Sequence, residues 1–183
     1  MAVVIRERAT ADLPALVEVL AEQQPASRYP MRWPLPFPTE DFVARPGEIV
    51  ALVAEGDGAV VGHVSALGVA SVAESPTVDA EFVQAWSAGH GRPAGELATV
   101  SALFTATRVR GQGIGGLLLD TVVAAIRDQG MAPCLDVFVP TPAAELYLAR
   151  GWQPVGRFRP AWLPEDPAVA GGIVALEGMV LRR

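Results

Sequence analysis

The chain has 183 residues, 51% hydrophobic and 19% charged, with 18 glycines and 16 prolines. That predicts one ordinary domain with a real core and excludes an unfolded chain, and no apolar run reaches the ~18–20 residues of a membrane helix. Fourteen Lys and Arg against 20 Asp and Glu leave a net charge of −6, which disfavours nucleic acid, where phosphate contacts dominate affinity, and suits a cationic or amine substrate. The first ten residues carry charges and no apolar stretch, so no secretory signal is expected and a cytoplasmic protein is the default. One cysteine, Cys134, excludes an internal disulfide, and with two histidines at unrelated positions it excludes a zinc site.

Val3, Val4 and Ile5 read as a first strand ending in Glu7 and Arg8. Thr10 is placed as the N-cap of a helix to about Gln24, with Asp12 in its first turn and Leu13, Leu16, Val17 and Leu20 on one face. Residues 25–38 are rich in proline yet carry Tyr29, Met31, Trp33, Leu35 and Phe37. Two readings stand: a loop pinned to the core by its aromatics, or a rigid wall over a substrate site. Ile49–Ala54 and Ala59–Val69 flank Glu-Gly-Asp-Gly and read as a hairpin. His63 on its second strand reads as a satisfied or exposed strand histidine before a catalytic one.

Residues 71–95 form an insertion, with a short helix through Phe82, Val83 and Trp86 closed by Gly89. A strand over Glu96–Ala106 follows, then a helix over Leu117–Gln129 ended by Gly130. Ala132–Val139 is the next strand, with Cys134 a buried structural thiol upon it. Thr141 caps and Pro142 opens a helix to Arg150, stopped by Gly151. Strands over Arg157–Leu163 and Ile173–Leu181 close the chain. The order predicts a mixed α/β sheet.

The informative stretch is Arg108-Val-Arg110-Gly111-Gln112-Gly113-Ile114-Gly115-Gly116, between an apolar strand and a helix. Glycines let successive N–H groups converge, the helix N-terminus adds about half a positive charge, and the arginines add mobile cations. The combination is an anion site, most naturally for phosphate. A Walker loop is excluded, because Leu117 follows Gly116 where Lys and Ser or Thr are needed. The dinucleotide pattern GxGxxG is present at Gly111, Gly113 and Gly116, with Asp136 near the expected offset. Four residues separate its first glycine from the strand, however, and Asp136 stands early on its own strand.

The run Arg110-Gly111-Gln112-Gly113-Ile114-Gly115 resembles [QR]-x-x-G-x-[GA], the pyrophosphate loop of the GCN5-related N-acetyltransferases. Ala143-Ala-Glu-Leu-Tyr147-Leu-Ala-Arg-Gly-Trp152 resembles that superfamily's tyrosine helix. The detailed resemblance covers about residues 96–156; before that only the element order agrees. It implies the acyl-CoA N-acyltransferase fold over 1–183 as one domain: a mixed, mostly antiparallel central sheet flanked by helices. It further implies acetyl-CoA, held by Leu103, Phe104 and Thr105 of the strand, by Arg108, Arg110, Gly111, Gln112, Gly113, Ile114, Gly115 and Gly116 of the loop, and by Tyr147. Tyr147 is the implied proton donor to the departing thiolate, and Glu96 the nearest acid to the family's strand-borne base, one residue out of register. Where the family often has an Asn before the tyrosine helix, this chain has Val139-Pro140-Thr141.

The implied reaction moves acetyl to a primary amine, first of a small molecule and second of a protein, with dimers common among such domains. Glu81, His90 and Asp79 are reserve acids or bases, and Trp33 and Trp162 candidate pocket walls. Two rival readings stay open: a CoA-binding sensor or partner module with weak catalysis, and an NAD(P)-dependent oxidoreductase.

Overall fold

A computed structural model of the protein describes residues 2–73, 80–160, 163–166, 168 and 170–182. Its first elements are β1 (Val3–Glu7), α1 (Leu13–Ser27), α2 (Thr39–Val43), β2 (Glu48–Gly56), β3 (Ala59–Gly68), α3 (Val69–Ala73) and α4 (Ala80–His90). There follow β4 (Leu97–Thr105), α5 (Ile114–Asp128), β5 (Ala132–Val139), α6 (Pro142–Ala149), β6 (Gln153–Phe158) and β7 (Ala175–Val180). The strands order β1-β2-β3-β4-β5-β7-β6 in one sheet. Pairing is antiparallel at β1/β2, β2/β3, β5/β7 and β6/β7 and parallel at β4/β5. The fold is therefore the expected mixed, mostly antiparallel sheet flanked by helices. A doubly wound parallel sheet, on which the nicotinamide reading depends, is not what these strands make. By their contacts, Met1–Leu67 with Val100–Asp128 form one compact unit and Gly68–Thr99 with Gln129–Arg183 another.

In the first unit the β2–β3 hairpin turns through Asp57 and Gly58, both at positive φ (52° and 76°). This is the turn whose twist suits paired strands, and Asp-Gly is the pair that tolerates it. Helix α1 seals the core with Leu16 and Leu20, both fully buried. Thr10 is not its cap. Residues 10–12 form a short 3-10 turn, and the Asp12 carboxylate takes the Ala9 N–H at 2.7 Å and grips Arg6 at 2.8 Å. The helix also runs past Pro25 to Ser27 and ends at Arg28, which takes a left-handed cap at φ 60° with its N–H on Gln24 O at 2.6 Å. Helix α5 buries Leu118, Leu119, Val122, Val123 and Ile126. It starts three residues before the predicted Leu117, since first-turn N–H groups need no partner within the helix.

The core of the second unit is aromatic. Phe82 stacks on Trp86 (centroids 5.4 Å apart) and meets Phe158 at 4.2 Å, packed with Leu97, Ala132, Cys134 and Val180. The Trp86 indole N–H is satisfied by the Leu135 carbonyl at 3.0 Å. Thr141 caps α6 as expected: its hydroxyl accepts the Ala144 N–H at 3.2 Å and donates to Phe138 O at 2.6 Å. Strand β6 occupies 153–158 rather than 157–163. Gly151, at φ 84°, turns the chain out of α6 directly into pairing with β7, and Pro160, which has no N–H to donate, follows the strand's end.

Candidate functional site

The phosphate-type loop lies wholly in the first unit, between the end of β4 and α5. Arg108, Arg110, Gly111, Gln112 and Gly113 are exposed, while Ile114 and Gly116 are buried. Gly111 (φ 75°) and Gly113 (φ 81°) take the left-handed backbone that alternates with Gln112 and lets N–H groups converge. A Cβ at either would meet nothing within 4 Å, so the requirement is backbone conformation, not room. Within the loop, Arg110 N–H goes to Thr107 O and Gln112 N–H to Val109 O. The first regular helical bond of α5 is Leu117 N–H to Gly113 O. Among the described residues, no backbone carbonyl receives the N–H groups of Gly111, Gly113, Ile114, Gly115 or Gly116. Five donors at a helix N-terminus, with two arginines beside them, form an anion cradle. Arg110 reaches the Gln23 carbonyl at 3.5 Å, so the loop is also tied to α1.

The strand leading into that loop is kinked. Ala102 stands at φ 49° in the middle of β4, a conformation that costs about 1–3 kcal/mol for a residue with a side chain and persists only when its surroundings hold it. His63, fully buried, is part of what holds it. Its Nδ1 lies 3.0 Å from the Ala102 carbonyl and its Nε2 3.2 Å from an Arg8 guanidinium nitrogen. A carbonyl only accepts, so Nδ1 carries the proton and Nε2 accepts from Arg8. The ring is therefore neutral, and burial, with the neighbouring guanidinium second to it among the causes that disfavour a charge, pushes its pKa down to about 4. Arg8 is itself neutralised by Glu48 at 2.6 Å. On either side of the kink, Ser101, Leu103 and Thr105 are part-exposed while Ala102 and Phe104 are buried. A Cβ at Gly62 would come within 3.0–3.1 Å of Leu118, Phe104 O and Thr105, so a side chain there would press on the strand's end.

The proline-rich stretch reaches the same unit. Tyr29 meets Phe42 of α2 edge-on at 5.7 Å, and the Arg45 guanidinium lies over the Phe42 ring at 4.3 Å. Arg45 then donates to Ser101 Oγ at 3.0 Å. Trp33 is half-buried and Phe37 46% exposed, so the aromatics do not all sink into the core as an anchored loop requires. Neither α2 nor the role of Arg45 is visible in the sequence, because a five-residue helix leaves no periodicity and a cation–π contact leaves no pattern.

In the second unit, Tyr147 is buried on α6, its ring edge-on to Trp152 at 5.9 Å. Glu96 precedes β4 in a 3-10 turn, half-exposed and paired with Arg92 at 2.7 Å. Of the reserve candidates, His90 donates to the Pro133 carbonyl at 2.9 Å and so pins the end of α4, and Glu81 is exposed. Asp79 and Trp162 lie outside the described residues. The Cys134 thiol is fully buried and donates to Ala98 O at 3.4 Å, and burial pushes its pKa up, as a structural cysteine requires.

A kinked strand thus runs into a glycine cradle at a helix N-terminus, a class of site suited to a phosphate-bearing ligand. The sequence matches the model of the acetyltransferase (GNAT) family over residues 13–152, and the chain belongs to that family. No curated protein matches the sequence. Solved structures with a similar fold include an N-acetyltransferase from Staphylococcus aureus Mu50 (16% identity, 99% of this chain and 98% of that one, TM-score 0.69). Others are the ribosomal-protein-S18-alanine N-acetyltransferase from Escherichia coli (16%, 98% and 93%, 0.66) and a GCN5-related N-acetyltransferase from Kribbella flavida (20%, 98% and 97%, 0.66). At these identities the likeness shows the fold.

Proposed function

We propose that the protein is an acetyl-CoA-dependent N-acetyltransferase, acting in the cytoplasm on the primary amine of a small molecule. The observation that carries the reading is the set of five backbone N–H groups without carbonyl acceptors at the start of α5. They are suited to a pyrophosphate, and Arg108 and Arg110 add charge to it. The family match runs across both units, which supports reading 1–183 as one acetyltransferase domain.

Transfer forms a C–N bond to the acceptor and breaks the C–S bond of the thioester. At an alkylamine pKa of about 10.4, roughly one amine in a thousand is free base at pH 7.4, so a proton must be removed. The resemblance assigns that task to Glu96, directly or through water, and the protonation of the departing thiolate to Tyr147. Backbone N–H groups of the Leu103–Thr105 segment are the donors for the oxyanion. The segment directly follows Ala102, whose positive φ departs from extended strand geometry. The loop's grip on the far end of the donor converts binding energy into position at the acetyl carbon.

The test is thermal unfolding with acetyl-CoA and, separately, with NADH and NADPH. A ligand at ~100 times its Kd adds about 2.7 kcal/mol, or roughly 5–10 °C for a chain of this size. Gly113→Glu places a carboxylate in the cradle and strains a positive φ, and should abolish the shift. A shift with acetyl-CoA alone, lost in Gly113→Glu, supports the reading; a shift with a nicotinamide cofactor alone, or none, overturns it. A shift without turnover on any amine would favour the sensor module instead.

A further inference from the structure

The proposed transfer leaves the acceptor's chemistry open, and Arg45 bears on it. Arg6 and Arg8, the other part-buried arginines of the first unit, are each neutralised by carboxylates, Asp12 and Glu55 for one and Glu48 for the other. Arg45 is not: among the described residues its partners are the Phe42 carbonyl on Nε, the Ser101 hydroxyl on Nη1 and the face of the Phe42 ring. All three are neutral. A half-buried cation is thus held at a fixed angle by an aromatic face, with Nη2 uncommitted. Ser101 Oγ accepts from Arg45, which leaves its own O–H free to donate. Two uncommitted donors and a positive charge thus sit on a pair of side chains bonded to one another at 3.0 Å, a combination that matches a carboxylate.

The location gives this receptor its meaning. Ser101 shares the part-exposed face of β4 with Leu103 and Thr105, and directly precedes the kinked Ala102. Two residues of chain span at most about 7 Å, and less across the kink at Ala102, so Ser101 stands within the length of a small amino acid from the backbone proposed to bind the oxyanion. We infer that Arg45 and Ser101 bind the carboxylate of the acceptor, which makes the substrate class of this enzyme amino carboxylic acids and not simple alkylamines. The inference rests on the acetyl-transfer reading above. It also fits the charge of the chain: a protein at −6 that admits an anionic group needs a local cation to receive it, and a zwitterion carries the ammonium that the remaining surface attracts.

The experiment compares acetylation of free amino acids with that of their α-carboxamides and the corresponding alkylamines, and of a short peptide with a free N-terminus and internal residues only. The readout is kcat/KM under saturating acetyl-CoA, for the natural protein and for Arg45→Gln, Arg45→Lys and Ser101→Ala. The natural protein should prefer the free acid over its amide by about 10- to 100-fold, the value of one charge-assisted pair. Arg45→Gln should lower kcat/KM for the acid more than for its amide and so erase that preference, and Arg45→Lys should restore part of it. Ser101→Ala should lower it several-fold. Because the quantity is a ratio within one protein, a loss of folded fraction cancels. Equal use of acid and amide by the natural protein overturns the inference, as does an equal loss on both in Arg45→Gln. Turnover of the peptide alone, or of nothing in the panel despite an intact acetyl-CoA shift, also overturns it. Absence of the acetyl-CoA shift sinks the underlying reading instead, so the two failures are told apart.

Discussion

The two units stabilise themselves by different means. The first buries polar groups: His63, Ser65, Asp12 and Gln23 all lie below a tenth exposed, and Arg8, Glu48 and Arg45 stand close to them. The second gathers Phe82, Trp86 and Phe158 with Leu97, Cys134 and Val180. Among the described residues its buried polar groups are fewer, Thr99 and Glu177, the latter paired with Arg157 at 2.6 Å. Its contacts at Thr141, His90 and Trp86 terminate elements or satisfy single donors. A buried polar network contributes little net stability, but it fixes angles, because each donor has one satisfactory partner. An aromatic cluster does the reverse. The strained Ala102, the glycine cradle and the Arg45 receptor all belong to the unit that invests in angles.

The comparison can be broken most directly at Trp86. Trp86→Ala removes a 2%-exposed indole together with its hydrogen bond to Leu135 O, and should cost about 3–5 kcal/mol in denaturant unfolding. A loss under about 1 kcal/mol would show that the aromatic cluster is not what holds the second unit.

The next effect is a pH dependence that belongs to the first unit. Unfolded, His63 takes its proton near pH 6.5; folded, near 4. Between these values the unfolded state binds more protons, so stability rises with pH. The contribution is complete above about pH 6.5 and is lost as pH falls toward 4, by roughly 3 kcal/mol. Asp12, held below the usual carboxylate range first by its bonds to Arg6, acts in a lower window: its contribution is present above about pH 4 and is lost as pH drops through its depressed pKa. Melting curves from pH 7.5 to 4.5 should therefore slope, and in His63→Gln the slope should flatten whatever the midpoint does. An unchanged slope would contradict a neutral, buried ring.

The smallest effect sharpens the comparison from the other side. If the second unit contributes chemistry through Tyr147, then Tyr147→Phe keeps the ring against Trp152 and removes only the hydroxyl. It should lower kcat by about 10²-fold with little change in KM for acetyl-CoA or in melting temperature. An unaltered kcat would leave the second unit a scaffold.

Much of this was legible without coordinates. The Asp-Gly turn, the Thr141 cap, the 132–139 strand and the glycine loop follow from local rules: which residues tolerate positive φ, which side chains accept a helix N–H, which apolar spacing matches a strand. The elements misplaced in the sequence were those without a local rule. α2 is too short for periodicity, β6 is set by its pairing with β7, and α1 outlasts Pro25 to end at the left-handed Arg28.

The sequence by itself determined the family, the order of the strands and longer helices, and a glycine loop suited to an anion, since each rests on residues adjacent in the chain. Only the tertiary structure decided that His63 is neutral and grips Ala102, and that Arg45 stands beside Ser101 without a carboxylate partner among the described residues. Those pairs lie 39 and 56 residues apart. A hydrogen bond or a cation's unmet charge is a property of distance in space, and nothing in the spacing of residues along a chain records it.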